Sequence, residues 1–118
     1  MNIRISERLR AIAELVPEQT RLVDVGTDHA LLPVWLVLQG RVTSCIASDI
    51  RSGPLRNAEK LIKKTGTDEK IQLCLADGLD GVSREDADTV VIAGMGGEAI
   101  ASILEKTAWI RQNVYLIL

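Results

Sequence analysis

Val23-Asp24-Val25-Gly26-Thr27-Asp28-His29-Ala30 decides how this chain folds. Leu22 to Val25 is a short, solid apolar run that meets a turn at Gly26, as a buried strand does. Ala30 to Gln39 follows as a helix, apolar nearly all round, and Gly40 ends it. Pro33 is tolerable there only because it falls in the first turn. Further on, Val42 to Ser48 reads as a second strand with Asp49 at its carboxyl end. Pro54 sits where a helix can begin, and Leu55, Ala58, Leu61 and Ile62 make its inner face. Gly66 is a natural terminator after Lys63 and Lys64, which suit the negative end of the helix dipole.

Ile71 to Leu75 is a third strand running into Ala76-Asp77-Gly78, and Thr89 to Ala93 a fourth running into Gly94-Met95-Gly96-Gly97. A helix over Ala99 to about Lys106 and a fifth strand from Val114 to Leu118 complete the series. Upstream, Ile5, Leu9, Ile12, Ala13 and Val16 fall on one helical face, which predicts an N-terminal helix over about 4–16 stopped by Pro17. Arg4 and Arg8 lie one turn apart on another side of it, next to Arg10.

Solid apolar strands alternating with helices predict an α/β fold, a doubly wound parallel sheet covered on both faces. The chain ends on Tyr115-Leu116-Ile117-Leu118, inside an apolar strand, so it reads as a fragment of a larger domain. An uncovered fifth strand at the sheet edge is an expected route to self-association.

The 118 residues are 47% hydrophobic and 25% charged, with 14 basic against 16 acidic side chains. This supports one domain with a real core and excludes a disordered or collagen-like chain. Charged residues interrupt every apolar stretch before it reaches membrane-spanning length. The opening MNIRISERLR has no apolar signal-peptide core, which points to the cytosol. Cys45 and Cys74 are too few for a disulfide scaffold or a zinc site, and read as small core residues in mid-strand. No metal is expected. Trp35, Trp109 and Tyr115 are the only aromatics, too few for a stacking platform, and both tryptophans read as packing residues. Charge is uneven: Arg51 to Lys70 holds six basic and three acidic residues, whereas Ile71 to Glu105 holds one basic and seven acidic. Arg51, Arg56, Lys60, Lys63 and Lys64 read as a solvated face, with RNA phosphate as the alternative partner.

In a doubly wound sheet ligands bind beyond the carboxyl ends of the strands. Gly26 permits a tight turn and close backbone approach there. It is not the start of a dinucleotide fingerprint, because Asp28 occupies the second glycine position and would repel a pyrophosphate. A zwitterionic or cationic ligand fits better than NAD. Asp49, 25 residues after Asp24, can accept both hydroxyls of a ribose. Asp77-Gly78 offers a carboxylate to an adenine amine, or simply an Asx turn. Three acidic strand ends in this order suit S-adenosylmethionine, which joins an amino acid, a ribose and an adenine.

The set Asp-Val-Gly-Thr-Asp-His-Ala (24–30), Ser-Gly-Pro (52–54), Ala-Asp-Gly-Leu (76–79) and Ile-Ala-Gly-Met-Gly-Gly (92–97) resembles the bacterial tRNA adenine-22 N1-methyltransferases. The resemblance covers the chain from its first helix to its last residue. It implies a Rossmann-like catalytic domain of the class I methyltransferase type, S-adenosylmethionine as cofactor and tRNA as partner. It also implies that residues 1–118 are the N-terminal part of that domain, without its last strands and a helical C-terminal extension. The cofactor-binding residues implied are Asp24, Gly26, Thr27, Asp28, His29, Asp49, Ile50, Asp77, Gly78 and Ala93; those at the methyl-transfer site are Gly94, Met95, Gly96, Gly97 and His29. Leu31 stands where the family usually has Tyr, and Asp49 where Glu is common. The alternatives are a cofactor-binding fragment without activity of its own and an NAD(P)-dependent oxidoreductase. His29 serves equally as a local cap, and Met95 as packing.

Overall fold

The computed structural model describes residues 3–118. Along it run α1 (Glu7–Leu15), β1 (Thr20–Val25), α2 (Leu31–Leu38), β2 (Val42–Asp49), α3 (Ser52–Thr65), β3 (Ile71–Leu75), β4 (Thr89–Ile92), α4 (Gly97–Lys106) and β5 (Tyr115–Ile117). All strand pairs are parallel, in the order β3-β2-β1-β4-β5. The chain lays three strands outward, then returns to the free side of β1. The reversal between β1 and β4 is the switch point of a Rossmann-like sheet.

Side chains alternate across the strands and divide the interior into two cores. One face carries Leu22, Cys45, Ala47 and Val91, packed beneath Ala13 of α1 and Val16 just past its end, Leu32, Val34 and Leu36 of α2, and Ala58 and Ile62 of α3. The other carries Val23, Val25, Val90 and Ile92 against Leu79, Val82 and Ile103. Trp35 packs on the first core and Trp109 on the second, as the sequence predicts. The Arg10 guanidinium lies 5.8 Å from the centre of the Trp35 ring. Among the described residues, no helix is long and apolar enough to cross a membrane, and no cluster of His, Cys, Asp and Glu could hold a metal ion.

Element ends have local causes. The Ser6 side chain accepts the Leu9 N–H at 3.1 Å and caps α1, and Pro17 follows its end. Gly66 ends α3 at φ +70, with its own N–H on Lys63 O and the Thr67 N–H on Ile62 O, a Schellman closure. The sequence reading starts α2 at Ala30, but Ala30 is left-handed at φ 61, so the helix begins one residue later. Helix α3 begins two residues ahead of Pro54, which therefore falls within its first turn and has no helical N–H to lose. Helix α4 begins at Gly97 rather than Ala99. Strands β4 and β5 are each shorter than the apolar runs that mark them. Cys45 is a core residue as expected, but Cys74 is only half-buried, because β3 is an edge strand with β2 alone beside it.

Across the sheet, the buried hydroxyls of Thr20 and Thr89 share a hydrogen bond of 2.7 Å. Arg21 grips Asp88 through Nε at 3.0 Å and Nη2 at 2.8 Å, and its own N–H reaches the same carboxylate at 3.0 Å. These bonds to Arg21 hold the Asp88 carboxyl down at about 2. Beyond β3, Gly78 turns the chain at φ +62, and a Cβ there would stand 2.8 Å from Ile103 Cγ1. Gly78→Ala is therefore expected to cost about 2 kcal/mol, from left-handed strain and overpacking together. In an Ile103→Ala background the cost should fall to about 1 kcal/mol, the strain alone. Urea unfolding of the four proteins measures both, and equal costs in the two backgrounds would show that the contact contributes nothing.

Candidate functional site

Two adjoining cavities open at the carboxyl ends of β1, β2 and β4. The larger, about 350 Å³, is lined by Ser6, Arg8 and Leu9 of the first helical segment, by Asp24 to His29 except Val25, and by Leu31, Leu32, Arg51, Ala93 and Gly94. The smaller, about 210 Å³, is lined by Ser48 to Arg51, Ala76 to Gly78, Val25, Gly26, Gly94 and Met95. Gly26, Arg51 and Gly94 line both and form the divide.

The loop after β1 is fastened at three points. Thr27 N–H donates to Ser48 O at 2.8 Å, and its hydroxyl donates to Asp24 Oδ2 at 2.8 Å. Asp28 N–H donates to Asp49 Oδ2 at 2.9 Å. These anchors hold two non-glycine residues, Asp28 and Ala30, in the left-handed region at φ 59 and 61. Such backbone costs about 1–2 kcal/mol per residue and persists where the surroundings impose it. His29 stands between them. Gly26, at φ +68, passes the loop after β4 closely, since a Cβ there would lie 3.5 Å from Met95 Sδ.

Acidic groups dominate the floor. Asp24 is 5% exposed, and burial pushes its carboxyl up to about 7; the Asp49 charge adds to the rise and the Thr27 hydroxyl opposes it. Asp49 is also buried, but its other oxygen accepts the Arg51 N–H at 3.0 Å. The Arg51 guanidinium stands 3.5 Å from Asp49 and 3.3 Å from Asp28, and His29 Nε2 lies 3.7 Å from Asp28. On the far side, Ser48 donates its hydroxyl to Gly78 O at 3.1 Å, and exposed Asp77 lies 3.4 Å from Lys106 Nζ.

The fold divides the residues singled out in the sequence between the two cavities. Asp24, Thr27, Asp28, His29 and Ala93 line the larger, and Asp49, Ile50, Asp77, Gly78 and Met95 the smaller. Gly26 and Gly94 face both, whereas Gly96 and Gly97 line neither and sit exposed at the start of α4. Ile50 is a large apolar side chain left 65% exposed beside Asp49. The sequence reading misses Ser6, Arg8 and Leu9, because helical periodicity says which face of α1 is apolar and nothing about what its first turn overlies. The sequence reading groups Arg51 with the solvated basic residues of α3; its side chain is exposed, and its guanidinium also pairs with Asp28 and Asp49 of the site. Its adjacency to Asp49 was the available signal. Of the rest of that basic group, Lys63 pairs with Glu59 at 2.8 Å.

Comparison with known proteins bears on the family and the fold. Residues 5–118 match the model of a methyltransferase domain family. The tRNA (adenine(22)-N(1))-methyltransferase of Bacillus subtilis is 39% identical over 103 residues, which span 87% of this chain and 43% of that protein. A Streptococcus pneumoniae structure in complex with S-adenosyl-L-methionine superposes with a TM-score of 0.88 at 42% identity, over 94% of this chain and 52% of that one. M. capricolum TrmK in complex with S-adenosyl-homocysteine gives 0.80 at 38% identity, over 86% and 46%. The chain spans about half the length of the relatives it matches. It belongs to the methyltransferase domain family, among relatives that include the bacterial tRNA (adenine-22-N1)-methyltransferases.

Proposed function

We propose that this chain is the cofactor-binding part of an S-adenosylmethionine-dependent methyltransferase that modifies N1 of adenine 22 in tRNA. One observation carries the reading: the paired cavities at the switch point set acidic groups in the order that an amino acid, a ribose and an adenine require. Asp24 and Asp28 face the larger cavity, where an ammonium would sit. Asp49 lines the smaller cavity beside Arg51, where ribose hydroxyls can add to the bonds its carboxylate already accepts. Asp77 and exposed Ile50 border the smaller cavity and suit the edge and the face of a purine. A dinucleotide fits less well, since the Asp28 carboxylate stands where a pyrophosphate would approach the loop and repels it.

The bound cofactor supplies an activated methyl group on a sulfonium. The residues of this chain need only align and stabilise, because N1 of adenine carries a free lone pair at neutral pH and needs no strong base. The product base is cationic, so the negative potential of Asp24 and Asp28 favours its formation. Gly96 and Gly97 have open space where a side chain would stand, which leaves room for a flat base beside the loop after β4. Because N1 lies on the pairing edge, the target adenine must be unpaired or flipped out. His29 and Met95 flank this approach from the two cavities.

Titration calorimetry with S-adenosylhomocysteine, with NADH as control, is expected to show saturable binding of the first alone; binding of NADH alone would overturn the reading. In the full-length protein, Gly96→Leu should reduce methyl transfer to tRNA by about 100-fold or more while S-adenosylhomocysteine affinity stays within about twofold. Retained transfer would remove the close-approach role of the glycines. Asp24 adds a pH signature. Its folded value near 7 exceeds the unfolded one, so raising pH from about 4 to 7 lowers the stability of the ligand-free chain. The ammonium group of a bound ligand favours the ionised form, so binding should release a proton. Affinity is therefore expected to fall about tenfold between pH 8 and pH 6, with a buffer-dependent enthalpy, and Asp24→Asn should abolish both effects. A flat profile in the unsubstituted chain would exclude Asp24 as the ammonium partner.

A further inference from the structure

Helix α3 buries Leu55, Ala58 and Ile62 on one side and exposes Arg56, Lys60, Lys63 and Lys64 on the other. At about 3.6 residues per turn, those four basic side chains fall within about 100° of arc. Lys63 is taken up by Glu59 at 2.8 Å. Among the described residues, Arg56, Lys60 and Lys64 have no carboxylate within ion-pair distance. They follow one another at intervals of four residues, about 6 Å along the axis. Arg56 leans back toward the start of the helix, with Nη1 3.4 Å from Ser52 Oγ. Ser52 directly follows Arg51, which lines both cavities. The basic row therefore starts beside the mouth of the site and leads away from it. The fold also separates charge between the two faces of the sheet. Helix α3, on the first core, has four basic residues against Glu59. On the second core, the segment 76–88 has five acidic residues against Arg84, and α4 has two against Lys106.

We propose that the outer face of α3 binds the phosphates of the RNA strand flanking the target adenine, through Arg56, Lys60 and Lys64. The inference rests on the tRNA reading above and deepens it by naming the surface. The sequence leaves these residues between a solvated face and a phosphate contact, and two features of the structure favour phosphate. Three cations stand unpaired in a row, at a spacing comparable with that of successive phosphates on a strand. The row is also aligned with the cavities, so a strand lying along it passes the site. Phosphate contacts fix register without reading sequence, and a base that must leave its stack needs the backbone beside it held. The acidic opposite face repels the same polyanion and so restricts the side from which it approaches. A membrane suits this face poorly, because the apolar side of α3 is already buried in the core and cannot enter lipid. A protein partner suits it poorly too, since protein interfaces favour aromatic residues over lysine. The exposed row has no aromatic residue.

The test measures binding of an unmodified tRNA transcript to the full-length protein between about 50 and 200 mM salt. It compares the unsubstituted protein with the triple variant Arg56→Gln, Lys60→Gln, Lys64→Gln, and with Lys70→Gln as a control on exposed charge elsewhere. Thermal unfolding checks each fold. The slope of log Kd against log salt should fall by about 2 to 3 in the triple variant, and affinity at about 100 mM salt by about 10- to 100-fold. Lys70→Gln should leave the slope within about 0.3 of the unsubstituted value. In methyl transfer, KM for tRNA should rise with the Kd, while kcat at saturating tRNA and the affinity for S-adenosylhomocysteine stay within about twofold. Arg56→Lys, Lys60→Arg and Lys64→Arg together should keep the slope, because the released counterions follow charge. An unchanged slope and KM in the triple variant, beside normal tRNA binding by the unsubstituted protein, would make this a solvated face and defeat the α3 role alone. Equal loss per charge in Lys70→Gln would show a general effect of net charge and overturn the inference. So would binding to vesicles of anionic phospholipid that the triple variant loses while its tRNA binding is unchanged. An unsubstituted protein that binds no tRNA defeats the tRNA reading and this role with it.

Discussion

The site depends on the Asp49 carboxylate, buried at the end of β2 and facing the end of β1. A buried carboxylate is costly unless hydrogen bonds replace its lost water, and two backbone N–H groups, from Asp28 and Arg51, do so here. Those bonds work in both directions. They stabilise the charge, and they fix the chain on either side of it: the loop after β1 is drawn against β2, and the start of α3 is drawn back toward the same point. With the loop pinned, Asp28 and Ala30 accept left-handed backbone that neither would choose. The charge on Asp49 also helps to keep its neighbour Asp24 protonated to near neutrality. One anchored anion thus sets the shape of the loop and the electrostatics of the cavity floor.

The parallel sheet makes this arrangement possible by aligning all carboxyl ends on one side. The two cores then support the site from opposite faces. The first holds α1 and α2 over the larger cavity, and the second carries Ile103 up against Gly78 beneath the smaller one. Packing far from any ligand therefore decides how wide each cavity is. Gly78 shows how two demands meet in one residue, since its turn requires positive φ and its neighbour leaves no room for a side chain.

Most of the sheet was legible in the sequence because a strand buried on both faces is a solid apolar run, and four of the five runs lead into a glycine or a carboxylate. In a parallel sheet those endings converge, so reading the strands also locates Asp24, Asp49 and Asp77. Arg8 was not legible: a helix seats its apolar stripe, and where its polar side then lands depends on contacts distant in sequence. The pairing of Arg51 was missed for a related reason, because its charge groups it with α3 while its backbone belongs to the loop that Asp49 organises. Left-handed Ala30 carried no signal either, since nothing in an alanine announces a conformation imposed by its neighbours. The two short turns at Arg84–Asp86 and Ala108–Arg111 are too brief to show a period.

Arg51 lines both cavities, so a ligand long enough to fill them must pass it. Its pairing with Asp28 joins two well-exposed side chains, 64% and 57% accessible. An exposed pair of this kind is weak and its rotamers exchange within nanoseconds. The Arg51 side chain also stands 3.5 Å from buried Asp49, so swinging its guanidinium off Asp28 leaves that second hold in place, and a ligand spanning both cavities would displace only the outer one.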